Sequence, residues 1–263
     1  MTYLRRVAAA ISAEWSDLVV ELDRWEETGL VACLWWRDDD AVAPTLALER
    51  LLALTDGMPL ALAVIPADVR GELAAALDPF PQVAVLQHGW CHANHAPSGK
   101  KSEYPAERHP VAVADELDEG RQLLRSLFGP RALPMFVPPW NRFSERFVPL
   151  LQEAGITAIS QQAPRKSAPP QGVAAIDVHL DVVGWHEDRK FIGEPAALGR
   201  LVAELCLRRE TGDADPIGIL THHLVMDRAT EDFLFRLGET IAAHRAVHWA
   251  EAGELMLEPR VAQ

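Results

Sequence analysis

Short apolar runs alternate with helical patterns along most of the 263-residue chain, and this alternation constrains the fold more than any other feature. The runs with the length and composition of buried strands are 30–36, 59–66, 82–88, 132–138, 156–160, 174–183, 217–223 and 246–250. Patterns typical of amphipathic helices lie at 43–55, 114–128, 144–154 and 194–209. Nearly continuous apolar strands that alternate with helices indicate a parallel sheet covered by helices. About seven or eight such units favour a closed or nearly closed α/β barrel, with an open doubly wound sheet as the alternative.

Composition and charge limit the other possibilities. The length suits a single domain, 1–263, and apolar positions at helical spacing near the N-terminus predict an amphipathic helix packed outside the barrel rather than a signal peptide. No apolar run reaches the ~18 residues of a membrane helix, so membrane insertion is not expected. A formal net charge of −13 argues against a nucleic-acid partner. Three cysteines, an odd number, predict a reduced, cytoplasmic protein, and no pattern predicts an oligomeric state.

Polar residues cluster where the predicted strands end. The clusters are Arg37 to Asp40, His88 with His92, Trp140 with Asn141, Asp181 with Trp185, and His222 with His223. The carboxyl ends of the strands of an α/β barrel share one rim, where active sites are built. The sequence therefore predicts that these clusters converge on a single site.

Two of the clusters have the composition of a metal site. His88 and His92 are four residues apart, a spacing that can direct two imidazoles to one point; the alternative is that each simply bonds to backbone. His95 lies further along, in a loop, where a solvent-facing or substrate-facing position fits as well as a ligand. Three aspartates, 38–40, end a buried strand, which is costly without a nearby cation or arginine. Capping of the helix near residue 43 would explain one aspartate but hardly three.

These residues can supply both a metal ion and the groups that work beside it. One aspartate and two histidines leave an open position for water, and Zn²⁺ suits such a set best, with other first-row divalent ions possible. A second aspartate can accept the proton of that water. His222 or His223 can protonate a leaving group, since the pKa of imidazole lies near working pH. The turn before Trp140 is rigid because it contains two prolines, and it can aim the Trp140 N–H at an oxyanion.

The order of these motifs over roughly residues 30–225 resembles the polysaccharide deacetylases, carbohydrate esterase family 4. The resemblance implies a distorted (β/α)7 barrel and metal-dependent removal of N- or O-acetyl groups. It implies Asp39 as general base and Asp40 as metal ligand, with Asp38 and Asp39 as the other possible register. The remaining roles that it implies are His88 and His92 as ligands, Trp140 as the oxyanion N–H, His222 as general acid, and Asp181 with Trp185 as a fourth motif.

The sequence departs from the family pattern in several places. Val137 occupies the position of an arginine that normally holds the catalytic aspartate. Arg37 lies two positions before Asp39, hence on the same side of an extended strand, and we predict that it takes over this ion pair. Ala41 replaces a glycine, and His223 stands where the family often has aspartate. The segment 92–110 is longer than such a barrel needs, and its charges, Lys100, Lys101, Glu103 and Arg108, are interpreted as those of a solvated loop, with a substrate-facing lid as the alternative.

The predicted function is therefore a metal-dependent hydrolase that deacetylates a carbohydrate. The predicted substrate contacts are Trp90, His95, Asn141, Asp181, Trp185 and His223. A soluble N-acetylated sugar, a lipid-linked or nucleotide-linked glycan, or another small amide is as plausible as a polymer. The alternatives are an amidase or cyclic-imide hydrolase of the same fold and a non-catalytic carbohydrate-binding relative.

Overall fold

The computed structural model describes residues 12–55, 57–165, 171–185 and 188–257. The strands in these ranges form one sheet, and neighbouring strands pair in parallel. They are β1 (Ala32–Ala41), β2 (Leu60–Val64), β3 (Val83–His88), β4 (Ala132–Val137), β5 (Ala158–Ile159), β6 (Ala174–Ala175), β7 (Leu180–Asp181), β8 (Ile217–Thr221) and β9 (Val247–Trp249). The helices are α1 (Trp15–Glu27), α2 (Leu46–Thr55), α3 (Glu72–Leu77), α4 (Pro110–Phe128), α5 (Val148–Glu153), α6 (Glu194–Thr211), α7 (Arg228–Ala243) and α8 (Ala252–Leu257).

The sheet curls into a distorted barrel. The strands are ordered β6-β5-β4-β3-β2-β1-β8-β7, and β9 pairs with the start of β1. β6 and β7 belong to one predicted strand, 174–183, which pairs with β5 at Ala174 and with β8 at Leu180. Because that segment changes partner midway, it joins the two ends of the strand order, and β1 to β8 occupy seven positions. The predicted distorted (β/α)7-type barrel with parallel strands is confirmed, and the open sheet is not observed.

The alternation of side chains along the strands separates two apolar layers. Trp35 points into the interior of the barrel, where it packs with residues such as Ala61 and Ala63. Trp36 belongs to the outer layer between strands and helices, together with Leu62. The adjacent tryptophans therefore fill opposite faces of β1, as the period of two in a strand requires.

The N-terminal helix lies outside the barrel, as predicted. α1 buries Leu18, Leu22 and Trp25, and the Trp25 indole donates a hydrogen bond to the Leu205 carbonyl of α6 at 3.2 Å. Residues 1–11 of the predicted helix lie outside the described residues. Helices α3, α7 and α8 were not predicted from the sequence. Within the described ranges, no helix is both long and apolar enough to cross a bilayer.

Strand β1 differs from its prediction in a way that shapes the rim. We predicted that the strand ends at residue 36, but it continues to Ala41, so the charged residues 37–40 lie within it. The pairing of β1 with β2 shifts register between Asp38 and Ala41, and Asp40 has a positive φ of 74°. A non-glycine residue in the left-handed region is uncommon, and irregularities of this kind redirect side chains near active sites. Asp40 therefore leaves the strand in a direction that regular pleating would not give, whereas Asp39 stays on the same side as Arg37.

Candidate active site

Asp40, His88 and His92 form a cluster with the composition of a metal site. Their potential ligand atoms all lie within 4.8 Å of one another. Asp40 Oδ1 lies 3.1 Å from His88 Nε2 and 3.4 Å from His92 Nε2. The three residues come from the end of β1, the end of β3 and the turn that follows β3. One carboxylate oxygen and two imidazole nitrogens form a donor set that fits a first-row divalent ion.

The backbone orients His88 for this role. His88 Nδ1 lies 3.0 Å from the Val137 carbonyl oxygen, and a proton on Nδ1 leaves the Nε2 lone pair directed at Asp40. Metal-binding histidines are held in this manner by a hydrogen bond from the second ring nitrogen. The carbonyl of Val137, at the end of β4, therefore selects the tautomer that the cluster needs. This contact could not be predicted from the sequence, because a backbone atom makes it.

The pKa shifts at two of the three positions favour the metal-binding protonation state. Burial opposes ionisation of Asp40, but the hydrogen bond and charge of His88 outweigh it, so the pKa of Asp40 lies well below its usual value. Burial, followed by the charge of His88, lowers the pKa of His92. For His88, burial is outweighed by the charge of Asp39 and the bond to Asp40, and its pKa is raised. An ionised carboxylate and a neutral imidazole are the forms that bind metals.

The turn that carries His92 is held by a buried glutamate. Glu103 is fully buried, and its carboxylate accepts hydrogen bonds from the backbone N–H groups of Trp90 (3.2 Å), Cys91 (2.8 Å) and Ala93 (3.5 Å). A Cβ at Gly89 would overlap this carboxylate, so glycine is required there. Our interpretation of Glu103 as a solvated loop charge is wrong. Its contact partners lie about ten residues earlier in a loop without periodicity, so the sequence could not reveal them.

Asp39 is paired with Arg37, as predicted. Arg37 Nε lies 2.9 Å from Asp39 Oδ1, and Nη2 donates a hydrogen bond of 3.0 Å to Asp39 Oδ2. Both side chains are buried. Arg37 also donates to Ser160 Oγ (2.7 Å) and Asn141 Oδ1 (3.1 Å), so its guanidinium is fixed from three sides. The sequence analysis did not identify Ser160, although it lies at the end of a predicted strand.

Asp38 takes part in a separate internal network. Its carboxylate accepts a hydrogen bond from Thr221 Oγ1 at 2.6 Å and lies 2.5 Å from His223 Nδ1. The Trp36 indole donates to the Thr221 hydroxyl at 2.8 Å. Burial is outweighed by the Asp38 charge, which raises the pKa of His223. Since Asp38 is committed inside the fold, the structure favours the register in which Asp39 and Asp40 face the rim.

His222 and His223 lie in different surroundings. His222 Nε2 lies 4.0 Å from Asp39 Oδ2. His223 is only 2% exposed, and its Nδ1 contacts the Asp38 carboxylate. The ring of Trp185 meets His222 edge-on, with centroids 4.6 Å apart. A substrate contact was predicted for His223, but its side chain is buried against Asp38 in the structure. The geometry favours His222 as the residue available for chemistry.

Asp181 positions Trp185. Its carboxylate accepts hydrogen bonds from the Trp185 indole (2.7 Å) and the Val183 backbone N–H (2.9 Å), and it is buried. Burial outweighs the charge of His222 and raises the pKa of Asp181. We predicted that Asp181 contacts substrate, but both oxygens have partners within the protein. Trp185 is 41% exposed and borders the site.

The turn after β4 completes the rim. Trp140 has a φ of 55°, and its ring lies 4.4 Å from the His92 ring, measured between centroids. Asn141 also has a φ of 55° and uses its side chain to hold Arg37. Strained backbone at successive residues is found at sites where the position of a group matters more than its conformational energy.

The remaining predicted residues lie on the segment that follows β3 and are not part of the cluster. Trp90 is half-buried, and its backbone carbonyl accepts from the Ala67 N–H at 2.9 Å. His95 is exposed, and its backbone N–H donates to the Ser102 carbonyl at 2.9 Å. Substrate contacts by these two side chains stay predictions.

Comparisons with known proteins find similarity in structure alone. No family model matches the sequence, and no curated protein matches it. A candidate polysaccharide deacetylase from Mycobacterium smegmatis is 16% identical with a TM-score of 0.67, and the match covers 97% of both chains. Puue allantoinase is 13% identical with a TM-score of 0.61, covering 86% of this chain and 89% of its own.

A third solved structure, a family 4 carbohydrate esterase from Streptomyces lividans in complex with acetate, is 12% identical with a TM-score of 0.53. That match covers 83% of this chain and 92% of the esterase. Identities this low establish similarity of fold. The likeness predicted from motif order is thus confirmed at that level: the chain has the fold of the polysaccharide deacetylases.

Proposed function

We propose that the chain is a metal-dependent hydrolase that removes acetyl groups from an N-acetylated or O-acetylated carbohydrate. The observation that carries the proposal is the position of the Asp40, His88 and His92 cluster. It lies beside a buried carboxylate, Asp39, whose orientation is fixed by Arg37. A metal site beside a held base and a histidine is the arrangement that hydrolysis by an activated water requires.

The three clustered residues would hold the ion, for which Zn²⁺ is our first choice because of the mixed oxygen and nitrogen donors. When bound, a divalent ion of this kind polarises a carbonyl group and lowers the pKa of water. His88 and His92 approach through nitrogen and Asp40 through one oxygen. The other residues at the rim then carry out the proton transfers.

Each transfer has a candidate group. Asp39 accepts the proton of the attacking water, and Arg37 keeps its carboxylate aimed at the rim. The backbone N–H of Trp140 stabilises the oxyanion of the tetrahedral intermediate. His222, 4.0 Å from the base, protonates the departing amine or alcohol. Each proton-transfer partner in such a mechanism contributes ~10²–10⁴ in rate.

Aromatic side chains are suited to the substrate. Trp185 is exposed at the rim, and Trp140 borders His92, so both can stack on sugar rings. Trp90 and His95 remain candidate contacts on the loop after β3. Asp181 and Asn141 act through Trp185 and Arg37 and are assigned positioning roles.

Release of acetate tests the proposal. Purified protein is assayed against a panel of N-acetylated and O-acetylated sugars, with elemental analysis before and after chelation. We expect acetate release that chelator abolishes and added metal restores, and that Asp39→Asn eliminates without loss of metal. Metal-loaded protein that releases no acetate from any sugar would overturn the carbohydrate assignment.

A second candidate is hydrolysis of a cyclic amide or another carbon–nitrogen bond outside sugars. The similarity to Puue allantoinase, with a TM-score of 0.61, supports it. Ring opening of cyclic ureides and imides, with no acetate formed, would distinguish this function. The presence of both Asp39 and His222 at the rim speaks against a non-catalytic carbohydrate-binding protein.

A further inference from the structure

A cavity of about 750 Å³ opens beside the candidate active site. Its walls come from segments 100–106, 140–145 and 161–165. Trp140 and Asn141 line the cavity and also belong to the candidate active site, so the cavity and the site share part of one wall. The volume lies within the range of small-molecule pockets. A ligand whose acetyl group reaches the metal cluster can therefore extend into it.

Hydrogen bonds tie the cavity wall to the proposed base. Arg165 Nη1 donates to Gln161 Oε1 at 2.9 Å, and Gln161 Nε2 donates to the Asn141 carbonyl at 3.0 Å. The Asn141 side chain in turn accepts from Arg37, which holds Asp39. The wall and the proposed base thus share one partly buried network of hydrogen bonds, which holds the wall in a fixed position relative to the base.

The charge of this wall is opposite to that of the chain. Lys100, Arg142 and Arg165 line the cavity, whereas Glu145 is the single carboxylate among the described lining residues. Asp177 neutralises Arg165, with oxygens 2.5 and 2.7 Å from its nitrogens. The net charge of the whole protein is −13, so an excess of cations here is not a consequence of composition.

Two of the cations are free of carboxylates. Arg142 Nη1 donates to the Lys101 carbonyl at 2.7 Å, a neutral partner, and no described carboxylate lies within ion-pair distance of Arg142 or Lys100. The ammonium of Lys101, which does not line the cavity itself, lies 5.8 Å from the ring centroid of Trp140, a residue of the cavity wall. Guanidinium and ammonium groups left unpaired at a cavity wall are the usual recognition elements for carboxylate and phosphate.

We propose that this cavity binds a negatively charged group, a carboxylate or phosphate, carried by the acetylated substrate. The inference rests on the proposed function and narrows it to anionic sugars over neutral ones. Arg142 supplies the directional hydrogen bonds, and Lys100 and Lys101 add charge. The hydroxyl of Ser144, which also lines the cavity, offers a neutral hydrogen bond to the attached sugar.

The test compares matched sugars. N-acetylglucosamine is the neutral probe, N-acetylglucosamine 1-phosphate carries phosphate, and N-acetylmuramic acid carries carboxylate. We expect kcat/KM to be about tenfold higher for at least one anionic probe, and the preferred probe identifies the source of the charge. The preference should shrink as salt is raised. Equal kcat/KM for all three probes would overturn the proposal.

Substitutions of the cations that line the cavity test whether they cause the preference for anionic sugars. Arg142→Gln and Lys100→Glu should each reduce the ratio of anionic to neutral kcat/KM, and Lys100→Glu places no demand on folding because Lys100 is exposed. Arg146→Gln is the matched control: it lies nearby and donates to a carbonyl, that of Ala106, but does not line the cavity. If Arg146→Gln lowers the ratio as much as the wall variants do, the proposal is wrong.

Calorimetric binding separates this proposal from the proposed function. If no probe releases acetate, binding of the two anionic sugars to wild type and to Lys100→Glu is still measurable. Binding by wild type that Lys100→Glu weakens supports the cavity assignment although the deacetylase assignment has failed. No binding of either anionic sugar would refute the cavity assignment on its own.

Discussion

Replacing Glu103 with glutamine tests whether the buried carboxylate holds the turn that carries His92. The substitution keeps the shape of the side chain but replaces one acceptor oxygen with an amide NH₂. In the wild type, the Trp90 N–H donates to Glu103 Oε2 at 3.2 Å, and Oε1 accepts from Cys91 and Ala93. If the oxygen of the glutamine keeps the bonds to Cys91 and Ala93, its NH₂ group faces the Trp90 N–H. One buried donor is then unpaired, which costs about 1–3 kcal/mol.

This free-energy cost destabilises the conformation of the turn that places His92 beside Asp40. Since about 1.4 kcal/mol is a factor of ten, we expect divalent-ion binding to weaken roughly 10- to 100-fold. The assay is competition with a chromophoric chelator for Zn²⁺, at a temperature where circular dichroism shows both proteins folded. Glu107→Gln is the control, because Glu107 is an exposed glutamate of the same loop.

Two results would refute the reasoning. In the first, Glu103→Gln lowers the melting temperature but binds Zn²⁺ as tightly as wild type, so that Glu103 stabilises the fold without affecting the cluster. In the second, Glu107→Gln weakens binding equally, so that the effect is one of overall charge. An affinity change confined to Glu103→Gln links the loop to the metal site.

Three further predictions follow from the described contacts. Arg37→Gln should leave Asp39 buried without its partner, cost about 3–5 kcal/mol in thermal or denaturant unfolding, and lower turnover at least 10²-fold; adding Asp39→Asn should recover stability but not turnover. His222→Ala should lower turnover at unchanged metal content, whereas His88→Ala should lose both, as measured by elemental analysis and kcat. Burial and the Arg208 charge lower the pKa of His179 to about 3, so the unfolded state alone takes up this proton as pH falls from 6.5. Stability from this residue should therefore be full above pH 6.5 and decline by about 1.4 kcal/mol per pH unit below it, a slope that denaturant melts should find missing in His179→Gln.

The sequence predicted what depends on periodicity and on strand order. All seven strand positions of the barrel lie at apolar runs that were predicted as strands. The rim that their carboxyl ends share was predicted from the alternation of these runs with helices. Those features predicted that the 37–40 cluster and the His88 and His92 pair, about fifty positions apart, converge on one rim, whereas the choice of Asp40 as the ligand came from the resemblance to the deacetylases. The pairing of Arg37 with Asp39 was predictable because residues two apart lie on one side of an extended strand.

Features that depend on irregular backbone could not be predicted in the same way. The bulge that turns Asp40 to a φ of 74° has no periodic signal, and neither does the loop that buries Glu103. His223 and Asp181 have the residue types of substrate contacts, but both are engaged inside the protein: His223 by Asp38, which is distant in sequence, and Asp181 by the Trp185 indole and the Val183 N–H of the turn that follows it. A residue type indicates possible chemistry. Burial of the side chain, and its hydrogen bonds or ion pairs within the protein, decide whether it can also contact a substrate.

The position of Arg37 explains a departure from the family pattern that would otherwise count against catalysis. In the family pattern, an arginine at the position of Val137, the last residue of β4, holds the base. Here the guanidinium comes from β1 itself, two residues before Asp39, and reaches Ser160 and Asn141 on the far side. Because Arg37 holds Asp39, no cation is needed at position 137. The Val137 side chain packs in the interior of the barrel, and its carbonyl orients His88. The missing arginine is thus compensated within β1, and the same strand supplies the proposed base, the cation that holds it and one metal ligand.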